Sequence, residues 1–303
     1  MMPFPISDTS PIRHPGPHPA ACDVVILGGG VLGVMTAFFL AERGVKVVLC
    51  EKGRIAGEQS SRNWGWIRQQ GRHPAELPIM IEANRLWQTF ARTMPGLGFR
   101  QEGVLYLAQR DSEMAAFEDW MKHARTHGLD SRIIGAEGVK ARLSGSRAGW
   151  VGGMLTPSDA RAEPWVAVPL LAQAAAQRGA VLVERCAVRR LDIAAGRVVG
   201  VITEQGRIAC DQVLVAGGAW SSLFLRAHGI SIPQLSVLSS VAATAPMPEV
   251  FSGNACDDDF AFRRRADGGY SIAPGVYVTS NQLSAPIFEI LATRVRYETA
   301  RNF

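Results

Sequence analysis

Long apolar runs are missing from this sequence: no stretch of about 18 or more apolar residues occurs, so no membrane-spanning helix is expected. The first twenty residues are rich in proline and lack an apolar centre, which does not fit a signal peptide and reads as a disordered tail. Cysteine is sparse. Cys22, Cys50, Cys186, Cys210 and Cys256 are odd in number and widely spaced, with no C-x-x-C, so neither a disulfide framework nor a zinc site is expected and a reducing cytoplasm fits. The acidic groups Glu118-Asp119 and Asp257-Asp258-Asp259 lack metal-ligand context, and no metal is expected. A basic face is lacking as well. The net charge is +5, but the basic residues are almost all arginines scattered along the chain, and the one run is Arg263-Arg264-Arg265. Nucleic acid is therefore not an expected partner, while a mild positive field suits a small anionic ligand.

What is present is enough apolar residue, 47% of 303, to bury one large domain or two interleaved ones. Asp23 to Leu27 reads as a buried parallel strand, Val31 to Arg43 as a helix stopped by Gly44, and Val45 to Cys50 as a second strand ending at Glu51. This is one βαβ unit. The α/β rhythm then breaks. Gly53 to Arg72 is polar and loop-like, and helices are expected near 76–94 and 111–127, with a strand at 103–108 between them. Residues 150–161 look turn-rich, and 164–178 helical with Pro169 awkwardly inside. Short strands are expected at 181–184, 187–192, 198–203, 213–216, 236–244 and 270–273, with a helix at 219–228. No internal repeat is visible.

Gly28-x-Gly30-x-x-Gly33 lies between the first strand and its helix. In such a unit the first glycine permits the tight turn, the second lets backbone approach a diphosphate, and the third lets helix pack on strand. The helix N-terminus then faces the anion, and Glu51, 23 positions after Gly28, is placed to accept hydrogen bonds from a ribose. A nicotinamide-binding domain would continue βαβαβ, whereas here clear sheet elements return only near Val181 and end in Val213 to Ser221, small residues able to bring backbone to the ligand again. That discontinuous order favours FAD.

These segments resemble the D-amino-acid oxidase, glycine oxidase and sarcosine oxidase group of FAD-dependent oxidoreductases, in particular its DadA-like bacterial members. The resemblance is carried by Asp23–Lys52, Gly57–Arg72, Thr156–Pro164, Cys186–Val188, Val213–Ser222 and Phe262–Ile272. It implies that Gly28, Gly30, Val31, Leu32 and Gly33 hold the diphosphate and Glu51, beside Lys52, the ribose. It also implies that Ser60, Ser61 and Arg62 lie along the phosphates and ribityl chain, and that Trp64, Gly65 and Trp66 approach the isoalloxazine. Val188 would touch adenine through its backbone, and Ala216, Gly217, Gly218 and Trp220 would pack on the ADP moiety. Flavin enzymes that oxidise amines need little acid–base machinery, and an arginine commonly pairs with a substrate carboxylate. Arg68 and Arg264 are the candidates, with Tyr270 as a hydroxyl neighbour, although Arg263 to Arg265 also read as solvent-facing residues of a strand.

The expected fold class is α/β: a Rossmann-like FAD-binding domain (21–76 and 150–234) interleaved with a mainly antiparallel α+β substrate domain (77–149 and 235–303). The expected reaction is oxidative deamination of a small amine or amino acid, with oxygen or a quinone or other carrier as electron acceptor. An NAD-dependent dehydrogenase and an inactive nucleotide-binding fragment are the alternatives. The resemblance also implies a late glycine-rich segment closing over the flavin. None follows Gly275, so the sequence reads as truncated or altered near there, with weak FAD retention and little turnover expected.

Overall fold

The computed structural model describes residues 5–143, 145–146, 149–234, 236–274 and 292–298. The expected departure of the chain near Gly275 lies outside the described residues. The chain divides into two units, one built from 1–63, 164–239 and 285–296, the other from 64–163, 240–284 and 297–303.

In the first unit four parallel strands stand in the order Gln212–Val215, Val24–Leu27, Val47–Cys50, Val181–Val183. The two central strands, VVIL and VVLC, are buried along their whole length, as β-branched runs inside a parallel sheet must be. The helix Val31–Glu42 follows the first strand and packs against the helix Pro164–Gln177. The latter runs through Pro169, whose ring costs one intrahelical hydrogen bond but sits on the buried face. A three-stranded antiparallel sheet, Val188–Ala194, Arg197–Thr203 and Gly206–Ala209, completes the unit.

The proline-rich stretch differs from the disordered tail expected of it, because its backbone is tied to buried groups of this unit. The Arg13 and His14 amides donate to the Glu184 carboxylate at 2.6 and 3.0 Å, and the Glu184 amide donates back to the His14 carbonyl. The Arg54 guanidinium donates to the carbonyls of Ser10 and Asp8.

The second unit is a mixed sheet. Arg132–Gly135, Gly152–Thr156 and Val104–Ala108 pair antiparallel in that order. Asn254–Cys256 joins Val104–Ala108 in parallel, then Phe260–Arg264 and Tyr270–Pro274 continue antiparallel. Helices Leu77–Thr93, Asp111–Thr126 and Ala136–Arg142 belong to this unit. The segment expected to be turn-rich holds the fully buried strand Gly152–Thr156. Its glycines serve close approach, not turning: a Cβ on Gly153 would lie 2.4 Å from the Tyr106 carbonyl oxygen.

Arg263 and Arg265 do not face solvent. Arg263 is 0% exposed and donates to both carboxylate oxygens of Glu163, at 2.9 and 3.0 Å. Arg265 is buried among the carbonyls of Tyr270 and Thr244 and the Asp267 carboxylate. A buried charge stripped of its partner is costly, so Glu163→Ala is expected to lower unfolding stability by about 3–5 kcal/mol. Denaturant unfolding measures it, and a loss below about 1 kcal/mol would mean that water reaches the guanidinium.

Candidate functional site

In the first unit the glycines divide by what surrounds them. Gly28 has φ +111°, and a Cβ there would lie 2.4 Å from the Ala216 carbonyl oxygen. A Cβ on Gly33 would lie 2.0 Å from the Gly28 carbonyl oxygen. Both are demanded by the protein itself. Gly29 is a third such position, hemmed in by Ile55 and Glu51. Gly30 is different: a Cβ there would meet only the Ser60 hydroxyl, at 3.1 Å. Space beside Gly30, at the start of a 12-residue helix with no acidic residue in its first turn, is a cradle for an anion. Gly30 has no side chain to cap the helix. Instead Ser60 Oγ accepts the Val31 amide at 2.9 Å, and Leu32 beside it is 69% exposed.

Glu51 is buried at the end of the second strand. One of its oxygens accepts the Gly29 amide and the other the Gly53 amide, both at 2.7 Å. Burial raises its pKa against the pull of these two bonds. Each oxygen keeps a second lone pair, the capacity that two ribose hydroxyls require. Lys52 pairs with Glu58 at 2.8 Å and lies 3.9 Å from the centre of the Trp220 ring, while Glu58 also holds Arg62 at 3.1 Å. Ser61 is buried, its amide donating to Glu58 O. The Ala216 amide donates to Leu27 O at 2.8 Å, which brings Ala216, Gly217 and Gly218 beside the Gly28 turn. Val188 opens its strand opposite Thr203 and packs on the core that contains Cys50. The arrangement fits a dinucleotide: open backbone at a helix start, an acid with spare lone pairs, and small residues beside both.

In the second unit Trp64 and Trp66 meet edge to face, ring centres 5.5 Å apart. Gly65 between them takes φ +72° and accepts the Ala162 amide, while Trp66 pairs with Arg161. The Arg68 guanidinium donates to the Gln70 carbonyl at 2.7 Å and to the Tyr106 hydroxyl. Gly71, at φ +66°, lets this turn pass close over Tyr106, since a Cβ would lie 2.6 Å from the ring. Gln70 Nε2, Arg72 Nε and Trp66 Nε1 are buried donors with no partner among the described residues. Burial lowers the Arg72 pKa, with Arg68 as the next cause, and raises that of Tyr106 to about 12. The Asp159 carboxylate is buried nearby and already accepts the amides of Gln69 and Gln70 and the Gln69 side chain. Donors thus exceed acceptors around Arg68.

Tyr270 is not of this kind. Its hydroxyl donates to Phe251 O and accepts the amides of Val250 and Phe251, which exhausts it. The hydroxyl expected as a neighbour of the candidate arginines is thus committed to the backbone at Val250 and Phe251. Arg264 is tied to the same part of the sheet, donating to Met247 O at 3.0 Å and lying over the Tyr270 ring at 4.9 Å. Sequence reasoning missed Tyr106, Gln70 and Asp159. Asp159 lay inside a quoted motif segment, but nothing local shows that its partners lie some ninety positions earlier.

The sequence pattern of the family described as "DAO: FAD dependent oxidoreductase" matches residues 23–297. Human mitochondrial sarcosine dehydrogenase is 27% identical over 237 residues, covering 75% of this chain and 26% of that protein. Sarcosine oxidase subunit beta of Rhizobium meliloti (strain 1021) is 29% identical over 229 residues, 73% of this chain and 55% of that one. The chain therefore spans about a quarter and just over half, respectively, of these curated relatives. The solved structure of L-amino acid deaminase from Proteus myxofaciens in complex with anthranilate superposes with a TM-score of 0.80 at 28% identity, over 94% of this chain and 67% of that one.

The glycine geometry makes a sharp prediction. Gly30→Val is expected to keep the fold, because the Ser60 hydroxyl is the one nearby atom, yet to lose FAD, because the branched side chain fills the diphosphate cradle. Circular dichroism and flavin content of the purified variant test this; full flavin occupancy would sink the assignment.

Proposed function

The chain belongs to the DAO family of FAD-dependent oxidoreductases, and from that premise we propose that it oxidises the carbon–nitrogen bond of a small amino acid. FAD is the cofactor of the family, and when bound it supplies the two-electron acceptor for the hydride leaving the substrate α-carbon. The residues assigned to hold it are the Gly28–Gly33 turn, with Val31 and Leu32 in it, for the diphosphate, and Glu51 and Lys52 toward the ribose. Ser60, Ser61 and Arg62 serve the phosphates and ribityl chain, Trp64, Gly65 and Trp66 the flavin ring, and Val188, Ala216, Gly217, Gly218 and Trp220 the adenosine end. Arg68 is assigned to the substrate carboxylate. The imine product is hydrolysed by water, and the electrons pass to oxygen or to a quinone or other carrier. The cysteines stay thiols in a reducing cytoplasm.

One observation supports an amino acid over a simple amine. Around Arg68 lie a buried hydroxyl and buried donors without acceptors among the described residues, the buried acid Asp159 already accepts three N–H bonds, and the more exposed Glu76 pairs with Arg72 at 3.6 Å. An anion with two acceptor oxygens matches that imbalance.

Anaerobic flavin reduction with a panel of D- and L-amino acids and their decarboxylated amines tests the reading. Amino acids are expected to reduce the flavin and the matching amines not. Arg68→Ala is expected to cost roughly ten- to a hundredfold in kcat/KM, mainly through KM, as loss of a charge-assisted hydrogen bond predicts. Equal reduction by the amines would remove the carboxylate from the assignment.

A further inference from the structure

We propose that Asp159 is a positioning residue of this carboxylate site: it holds the Gln69–Gln70 backbone, and through the Gln70 peptide it sets where the Arg68 guanidinium stands. The inference rests on Arg68 being the carboxylate partner.

The relay is continuous. Asp159 is 0% exposed, and one of its oxygens accepts the Gln69 amide at 2.8 Å and the Gln69 side-chain amide at 3.1 Å. The other accepts the Gln70 amide at 3.1 Å. The carbonyl of Gln70 in turn accepts Arg68 Nη1 at 2.7 Å. On the far side the Gln70 side chain is fixed through its Oε1, which accepts the Thr156 hydroxyl at 2.7 Å. Asp159 itself is fixed, since its carbonyl accepts the Gly103 amide and its amide donates to Thr156 O. No atom of Asp159 need touch substrate for its charge state to matter.

Both oxygens must accept for the relay to hold. If one becomes a hydroxyl, or an amide as in Asp159→Asn, a donor faces the Gln70 amide and that bond is lost, while the Gln69 pair survives on the remaining oxygen. Burial pushes the Asp159 carboxyl up to about 6, against the pull of its hydrogen bonds and of Arg68. Arg72, lowered by burial and then by Arg68, and Tyr106 and Cys256, both raised by burial, are the shifted groups beside it or Arg68, and Glu76 pairs with Arg72 at 3.6 Å. Tyr106 and Cys256, both pushed up to about 12, stay neutral across the neutral range. Asp159 is the group pushed into that range.

A folded-state value above the unfolded one means that the native protein binds this proton more tightly. The stabilisation is fully present below the unfolded value near 4 and is lost as pH rises through about 6. Acidification from about pH 8 to about pH 5 therefore loosens the grip on a carboxylate without this group unfolding the protein.

The test uses FAD-loaded protein, with benzoate as carboxylate probe and benzamide as its uncharged match, their affinities read by calorimetry. Wild-type benzoate affinity is expected to fall roughly tenfold or more between about pH 8 and about pH 5, where benzoate is still ionised, with thermal stability not falling in parallel. Asp159→Asn is expected to bind benzoate at about pH 8 as weakly as the wild type does at about pH 5, with a flat profile. Benzamide should bind alike throughout. Should Asp159→Asn not fold, the wild-type profile with its melting control decides alone. If Arg68→Ala weakens benzoate but the wild-type profile is flat, or Asp159→Asn keeps wild-type affinity and pH dependence, the positioning role is overturned while the carboxylate reading stands. If Arg68→Ala leaves benzoate untouched, the carboxylate reading itself fails and takes this inference with it.

Discussion

Buried polar groups must find partners, and in the second unit one short segment meets that demand for its neighbours. From Thr156 to Glu163 most side chains are buried, although the residues are those of a surface loop. Thr156 binds Gln70, Asp159 holds Gln69 and Gln70, the Ala160 carbonyl accepts Asn254, Arg161 reaches Ser252, and Glu163 pairs with Arg263 and the Ala266 amide. Three separate stretches of chain, 69–70, 252–254 and 263–266, thus take their places from one. A network of this kind is favourable only when nearly complete, because each unpaired member carries the cost of its lost hydration. The donors left over therefore stand out: Gln70 Nε2 and Arg72 Nε belong to the turn that carries Arg68.

The first unit is organised by exclusion. Helix and strand meet where Gly33 has no side chain, and the fourth strand closes against Gly28 for the same reason. These contacts place the start of the helix, and with it the row of amides offered to an anion. Gly30 alone of the three motif glycines is left open. A motif that looks uniform in sequence thus contains two packing positions and one that the protein leaves open.

How much of this was legible follows from the range of each interaction. The βαβ unit was, since its strands, helix and turn are written within about thirty consecutive residues. So was the return of small residues at Ala216 to Gly218. The strand Gly152–Thr156 was hidden by paired glycines, which signal turns as readily as close approach. The burial of Arg263 was hidden because its partner Glu163 lies a hundred positions earlier. Tyr270 was misjudged because a tyrosine beside arginines resembles a binding residue, whereas its hydroxyl serves the backbone at Val250 and Phe251. The proline-rich leader was misread because composition reports what a segment buries of itself, not what it caps elsewhere, here Glu184.

The order of strands in the parallel sheet has a consequence for synthesis on the ribosome. Val24–Leu27 emerges early, yet one neighbour is Gln212–Val215, and the strand beyond Val47–Cys50 is Val181–Val183. At about 5–20 residues per second, the nascent βαβ unit waits on the order of ten seconds or more with apolar strand edges uncovered. During that interval it is an open template for wrong pairing, and the second unit's polypeptide is threaded out in between. Yield in a host cell should then depend on translation speed across residues 64–163 and on the holdase capacity available, more than on the stability of the finished protein.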